Sequence, residues 1–270
     1  MTPQDLEAVQ RFFDSYADAF IQAHQSRNAP YVLKRDHTRR VVENIRALGG
    51  ALDLDTSIRR RALAAGILHD VGRFPQFRDH GTFADIDSVD HARLSVETIE
   101  SHGVLDTVPV DDRAAILTAV KIHNAYHLPP NLPPDHLFLA RILRDGDKLD
   151  ILQVMAEKYL RDRRPGRSSD EFITMDLPDS DRVSPELVAM LKNRRMLDRR
   201  QVRSLNDLKL LQISWVFDLN FAPSLALLRK RKLVETIFAT LLRSGEMADL
   251  EGGVLGFMDD RMGELSQLDL

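Results

Sequence analysis

The sequence contains no cysteine among its 270 residues. This absence excludes disulfide bonds, thiolate nucleophiles and zinc sites that use cysteine ligands. Any transition-metal site in the chain must therefore use nitrogen and oxygen donors, which histidine and the acidic residues supply.

Aromatic residues and long apolar runs are also scarce. Phe, Trp and Tyr make up 6% of the chain, Ala and Leu are frequent, and no clean strand alternation is visible, which favours helices. No apolar run approaches the ~20 residues that span a bilayer, and the N-terminal stretch shows no signal-peptide pattern. We therefore expect an all-α protein in the cytoplasm, without a membrane partner.

The charge balance argues against a general nucleic-acid-binding surface. The formal net charge is -4, with 37 basic and 41 acidic residues, whereas such surfaces are strongly basic. Hydrophobic residues make up 43% of the chain, which is enough for a sizeable core in one large or two small domains. The sequence does not indicate an oligomeric state.

Apolar residues recur at helical spacing along most of the chain. Helices are predicted over about 3–26, 34–48, 56–70, 89–101, 109–123, 135–160, 184–193, 204–219 and 222–244. Residues 73–88 are expected to form a long functional loop, and the charged stretch 161–183 a mobile segment or lid. We expect a first helical domain at 1–160, with its core at 34–152, and C-terminal helices at 184–270 packed on the same body.

The stretch ILHDVGRF, residues 67–74, places His69 and Asp70 at the end of an apolar helix. Two buried polar groups are costly there unless a partner compensates them. A metal ion is one such partner, because imidazole and carboxylate are both metal ligands. A histidine that caps its own helix is the alternative explanation. Gly72 is expected to stop the helix and to turn Arg73 toward the site.

Further ligand-type residues lie near the ends of the other predicted helices. They are His37, His91, His123 and Asp147. Each is separated from the next ligand-type residue by about one helix and one connection, so that consecutive helices can present one ligand each to a common centre. Taken singly, each histidine is better explained as a surface or core residue. The ordered set favours a metal site.

The order H…HD…H…H…D resembles the pattern of the HD-domain superfamily of metal-dependent phosphohydrolases. The resemblance covers roughly residues 34–152. The segments HDVGRFPQF, DH, HN and RDGDKLD are similar to one bacterial branch that has no well-defined substrate, and SWVFDLNF (214–221) resembles the tail of that branch. The resemblance implies an HD-domain-like helical bundle with additional C-terminal helices.

The resemblance also implies a ligand set for one or two divalent ions. Its members are His37, His69, Asp70, His91, His123 and Asp147. Asp70 would bridge two ions, whereas His91 and His123 would hold the second ion or bind substrate phosphate instead. Asp145 is a rival for the role of Asp147, which is preferred because the family motif places the ligand directly before Lys/Arg-Leu. The donors fit Mn, Fe, Co, Ni or Zn, and also Mg at a water-rich position.

The implied reaction is hydrolysis of a nucleotide-like or other small phosphoester. Metal binding lowers the pKa of water to about 7, and the resulting hydroxide would attack phosphorus. The expected catalytic residues are Asp70, Arg73 and Lys148, and Lys121 is a further cation beside a ligand. For each of the three cations the alternative is a solvated surface charge or a structural ion pair. His80 and His127 are expected at the surface, with lining of the pocket as the alternative.

Two other functions stay open at this point. A few members of the superfamily are di-iron oxygenases, and the set with four histidines resembles theirs as well. The domain is alternatively a non-catalytic nucleotide-binding or signalling module, although an intact ligand set argues against a degenerate site.

Overall fold

The computed structural model describes residues 1–24, 27–162, 177–179 and 182–268. Across these residues the structure is helical and has no β-strand, which confirms the all-α prediction. The chain divides into two compact units, Met1–Asp147 and Lys148–Leu270. None of the described helices combines the length and the hydropathy that a membrane span requires.

The helices of the first unit follow one another through short connections. They are α1 (Pro3–Ala23), α2 (Ala29–Ala51), α3 (Thr56–Leu68), α4 (Arg73–His80), α5 (His91–Ser101), α6 (Val110–Ile122) and the first part of α7 (Pro134–Asp162). The central helix is α3, which packs against α1, α2 and α6. Every residue from Ala62 to Leu68 is buried. The chain therefore enters the turn at His69 and Asp70 from the middle of the core.

Close packing around Ile45 brings α3 and α7 onto α2. A Cβ atom on Gly66 would lie 2.6 Å from Ile45 Cδ1, and one on Gly146 would lie 2.7 Å from Ile45 Cγ1. The side chain of Asn44 adds a polar tie, because its Nδ2 donates to the carbonyl of Gly146 at 3.1 Å. Small residues at these crossings let α2, α3 and α7 approach one another closely, and predicted ligands lie on or directly after these helices.

The prediction of a loop over 73–88 was wrong. The structure has helix α4 at Arg73–His80 and a 3₁₀ turn at Asp85–Asp87. Pro75 does not prevent α4 because it lies in the first helical turn, where a missing N–H costs no hydrogen bond. The left-handed residue that ends α4 is Gly81, with φ of 69°.

The prediction that Gly72 stops α3 was also wrong. Helix α3 ends at Leu68, and Gly72 has right-handed helical angles, φ -67° and ψ -18°. Its glycine character serves packing instead, because a Cβ atom would lie 2.4 Å from the backbone nitrogen of Ser95. The side chain that caps the start of α3 is Asp55, whose carboxylate accepts from the Ser57 backbone N–H at 2.6 Å.

Two further helix ends differ from the prediction. Helix α2 begins at Ala29 and ends at Ala51, beyond the predicted 34–48, because Pro30 occupies its first turn and the glycine pair at 49–50 continues the helix. Helix α5 begins at His91, two residues beyond the predicted start at 89, and the residue that caps it is Asp90. The hydroxyl of nearby Ser88 donates to the Ala84 carbonyl at 2.8 Å.

The second unit is helical as well. After the end of α7 its helices are α8 (Pro185–Lys192), α9 (Leu205–Ser214), α10 (Ala222–Arg231), α11 (Leu233–Phe238) and α12 (Gly245–Leu268). The predicted helix 222–244 is broken at Lys232, which has a left-handed φ of 53°. Most of the predicted lid, 161–183, falls outside the described residues. Packing of the C-terminal helices on the first domain stays a prediction.

Candidate metal centre

The structure brings the predicted metal ligands together in the first unit. His37 lies in α2, His69 and Asp70 follow α3, His91 begins α5, His123 follows α6, and Asp147 lies in α7. The four histidines and Asp70 are buried, and Asp147 is partly exposed. A set of residues that spans 111 positions of sequence thus forms one cluster of side chains.

Asp70 lies between two pairs of histidines. Its Oδ2 is 3.5 Å from Nε2 of His37 and 3.6 Å from Nε2 of His69. Its Oδ1 is 3.5 Å from Nε2 of His91 and 3.8 Å from Nε2 of His123. Each carboxylate oxygen therefore faces a different pair, as a ligand that bridges two ions must.

Asp147 joins the pair formed by His37 and His69. Its Oδ1 lies 3.1 Å from Nε2 of His37 and 3.8 Å from Nε2 of His69. Asp145 is also buried, but it offers no ligand atom to the clusters found among the described residues. Residues two apart on a helix do not face the same side, so only one of these two carboxylates can point into the cluster.

In the pair formed by His91 and His123, two nitrogen lone pairs face each other. His91 Nδ1 lies 2.5 Å from Oδ2 of Asp85, and His123 Nδ1 lies 2.7 Å from the Val120 carbonyl. Because these oxygens accept, each Nδ1 carries the proton, and each neutral ring leaves a lone pair on Nε2. The two Nε2 atoms are 3.0 Å apart. Two acceptors at this distance need a cation between or beside them.

Burial keeps these imidazoles neutral, so that the cation is not a ring proton. Loss of hydration lowers the pKa of His91 to about 4, helped by the charge of Arg73. Loss of hydration likewise lowers the pKa of His123 to about 4, and that of His69 falls for the same reason. Neutral imidazole is the form that binds metal ions.

The two carboxylates are ionised despite their burial. Burial disfavours the charge of Asp70, but the ammonium of Lys34 and other nearby positive charge hold its pKa well below the usual range. Burial also opposes ionisation of Asp147, and its contact with His37 outweighs that effect and lowers its pKa. Ionised carboxylates beside neutral imidazoles are a donor set that suits a divalent transition metal.

Sequence reasoning missed Lys34 as a neighbour of the site. Its Nζ donates to Oδ2 of Asp70 at 2.8 Å and lies 5.2 Å from the centre of the Phe83 ring. The side chain is only 15% exposed. Lys34 precedes His37 by three residues, a spacing that places both on one face of α2. That spacing was the signal available in the sequence. Lys34 was missed because only cations close in sequence to a predicted ligand were considered.

The structure places the other expected functional residues at varied positions. Arg73 Nε lies 3.5 Å from Oδ1 of Asp70, and its Nη1 donates to Asp85 at 2.8 Å. Lys148 forms an ion pair with Asp218 inside the second unit. Lys121, which lies in α6, is exposed. His80 and His127, which were expected at the surface, are exposed as well.

Comparison with known families identifies the first part of the chain. Residues 35–152 match the family model of the HD domain. The chain contains an HD domain. This confirms the resemblance drawn from the sequence pattern, and the matched range includes the complete ligand cluster. HD domains are generally metal-dependent phosphohydrolases. Comparison of the chain with curated proteins and with solved structures gave no match.

Proposed function

We propose that this HD-domain protein is a phosphohydrolase that acts on a nucleotide-like or other small phosphoester. The observation that carries the proposal is the position of Asp70, whose two oxygens face two separate histidine pairs. A structural site for one ion does not need this arrangement, whereas a site in which two ions contact one phosphate does.

The residues of the cluster divide into two ion positions. His37, His69, Asp147 and Oδ2 of Asp70 would hold the first ion. His91, His123 and Oδ1 of Asp70 would hold the second. Divalent ions at these positions supply Lewis-acid activation of water and offset charge on the phosphoryl oxygens.

Lys34 and Arg73 are positively charged side chains that lie beside Asp70 at this site. Lys34 holds Oδ2 of Asp70, and an ion bound there would take over that contact and leave the ammonium for phosphate oxygens. Arg73 lies between Asp70 and Asp85 and would orient the first of these. A catalytic role of Lys148 stays a prediction, because its ammonium is paired with Asp218.

The proposed activity can be tested with purified full-length protein. Metal analysis is expected to find one to two divalent ions per chain, and the protein is expected to hydrolyse p-nitrophenyl phosphate or its bis-ester. Removal of the ions with EDTA should abolish turnover, and Mn²⁺ should restore it. Failure of the ion-loaded protein across a broad panel of phosphomonoesters and diesters would contradict the proposal. A spectroscopic signature of an iron pair with uptake of dioxygen would indicate the oxygenase alternative.

Lys34→Ala is expected to lower kcat/KM for a phosphoester by about 100-fold while divalent ions stay bound. The physical reason is that the ammonium competes with ions for Asp70 but attracts phosphate. Steady-state kinetics and metal analysis on the same sample measure both quantities.

Arg39→Ala is the matched control for Lys34, because Arg39 lies on the same helix, is exposed and pairs with Asp14 at 3.1 Å. This control should behave as the wild type. Unchanged turnover in Lys34→Ala would contradict a role of Lys34 in phosphate binding. Loss of the ions would contradict the expected outcome in another way, because it would show that Lys34 supports the ion positions.

A further inference from the structure

We propose that Asp85 is a positioning residue that sets the tautomer and the orientation of His91 and thereby completes the second ion position. Asp85 begins the 3₁₀ turn at Asp85–Asp87 and lies outside the predicted ligand set. The proposal rests on the proposed function only in assuming that the cluster binds divalent ions.

The contact between Asp85 and His91 determines which nitrogen of the ring faces the cluster. Oδ2 of Asp85 accepts from His91 Nδ1 at 2.5 Å. An ionised carboxylate can only accept, so the ring proton stays on Nδ1 and the lone pair on Nε2. That Nε2 lies 3.5 Å from Oδ1 of Asp70. A carboxylate that holds the far nitrogen of a ligating histidine raises the basicity of the near nitrogen and restricts the ring.

Asp85 is itself held by side chains from other elements. Its Oδ1 accepts from Arg73 Nη1 at 2.8 Å and from Gln76 Nε2 at 2.9 Å, both on α4. Its Oδ2 also accepts from Asn124 Nδ2 at 3.3 Å, beyond the end of α6. Gln76 is completely buried. A carboxylate with this number of donors from two directions has a defined position, unlike a solvated surface acid.

These donors also explain why Asp85 is assigned a positioning role rather than a metal-binding one. Asp85, Asp90 and His91 offer atoms within 4.8 Å of one another. However, the Asp90 carboxylate accepts from the backbone N–H groups at the start of α5, and Asn124 donates to both acids. Both oxygens of Asp85 and Oδ1 of Asp90 are thus engaged with donors of the protein.

His91 differs from two other ligands of the cluster in what holds its far nitrogen. The Nδ1 atoms of His69 and His123 lie 2.8 and 2.7 Å from the backbone carbonyls of Gly66 and Val120. Substitution of a side chain leaves those carbonyls in place. The acceptor for His91 is a side chain, so its tautomer can be altered by mutation. Loss of Asp85 should therefore weaken the second ion position and spare the first.

The proposal is tested by equilibrium dialysis of EDTA-stripped full-length protein against Mn²⁺. Asp85→Ala is expected to keep the first ion with wild-type affinity and to raise the Kd of the second by about 10- to 100-fold. Asp85→Asn should show a smaller loss, because its amide oxygen can still accept from His91. Asp87→Asn is the matched control, since Asp87 is exposed on the same 3₁₀ turn. Wild-type affinity for both ions in Asp85→Ala, or equal weakening of both, would overturn the proposal.

A second measurement needs neither a bound ion nor turnover. The ¹⁵N spectrum of the imidazoles in metal-free protein should show the Nδ1–H tautomer for His91, assigned by comparison with His91→Gln. Asp85→Ala should shift that signal toward the Nε2–H tautomer, and an unchanged signal would overturn the proposal. A protein that binds two ions but hydrolyses no phosphoester would refute the proposed function alone. Normal hydrolysis with an unchanged His91 signal in Asp85→Ala would refute the role of Asp85 alone.

Discussion

Asp70→Asn is expected to lower phosphoester hydrolysis by about 1,000-fold or more and to remove at least one divalent ion per chain. The reason is that each oxygen of Asp70 faces a different histidine pair, at 3.5 to 3.8 Å. Asparagine has nearly the same shape but carries no charge and only one oxygen. One ion position therefore loses its oxygen ligand, and both lose the negative charge.

Metal analysis after dialysis and steady-state kinetics measure these effects, and far-UV circular dichroism checks the fold. Asp36→Asn is the matched control, because Asp36 lies on α2 beside His37 but pairs with Arg35 at 2.9 Å. This control should keep its ions and its rate. A variant of Asp70 that retains two ions and turnover would show that the carboxylate does not bridge.

Gly72→Ala is expected to destabilise the metal-free protein by about 3 kcal/mol. A Cβ atom at this position would lie 2.4 Å from the backbone nitrogen of Ser95, 2.6 Å from the carbonyl oxygen of His91 and 2.8 Å from the carbonyl carbon of Leu94. These are backbone atoms of α5, which cannot rotate away as a side chain can. Relief of the clash requires movement of the helix that begins with His91, so the second ion position should weaken as well.

Urea denaturation of metal-free protein measures the predicted loss of stability. Gly50→Ala is the matched control, because Gly50 is an exposed helical residue and a Cβ atom there meets nothing within 4 Å. Alanine is the better helix former, so this control should gain about 0.5–1 kcal/mol. Equal stability of the two variants would mean that α5 can move away from residue 72 at no cost.

The helical class could be predicted because it depends on local patterns. Periodic apolar residues are a property of short segments, and the helices predicted from them are present in the structure. The errors concern glycine and proline residues. The glycine pair at 49–50 lies inside α2, beyond the predicted end at 48, and Pro75 lies inside α4, within the predicted loop 73–88. Whether such a residue ends a helix depends on its position within the first turn and on what packs against it. Gly72 illustrates the point, because its neighbour is the backbone of another helix.

The sequence did not directly indicate the roles of Lys34 and Asp85, because both depend on contacts between side chains that meet only in the folded chain. Lys34 pairs with Asp70, which lies 36 positions further along the chain. Asp85 follows Arg73 and precedes His91, but only the folding of α4 against α5 directs both toward its carboxylate. The spacing between the two partners of each contact does not reveal it, because a hydrogen bond between side chains requires only proximity in the folded chain. The three-residue spacing of Lys34 from His37 was an indirect signal for Lys34 alone.

The amino-acid sequence was sufficient to nominate the ligand-type residues, since metal chemistry requires particular donors and their order along the chain is readable directly. It was also sufficient to exclude cysteine ligands. The resemblance read from the sequence also implied a bridging role for Asp70. That each oxygen of Asp70 faces a different histidine pair came only from the tertiary structure, because it depends on the direction of the side chain. The same holds for the tautomer of His91 and for the position of Lys34. Directions and proton positions are set by contacts between helices, and those contacts exist only after the chain has folded.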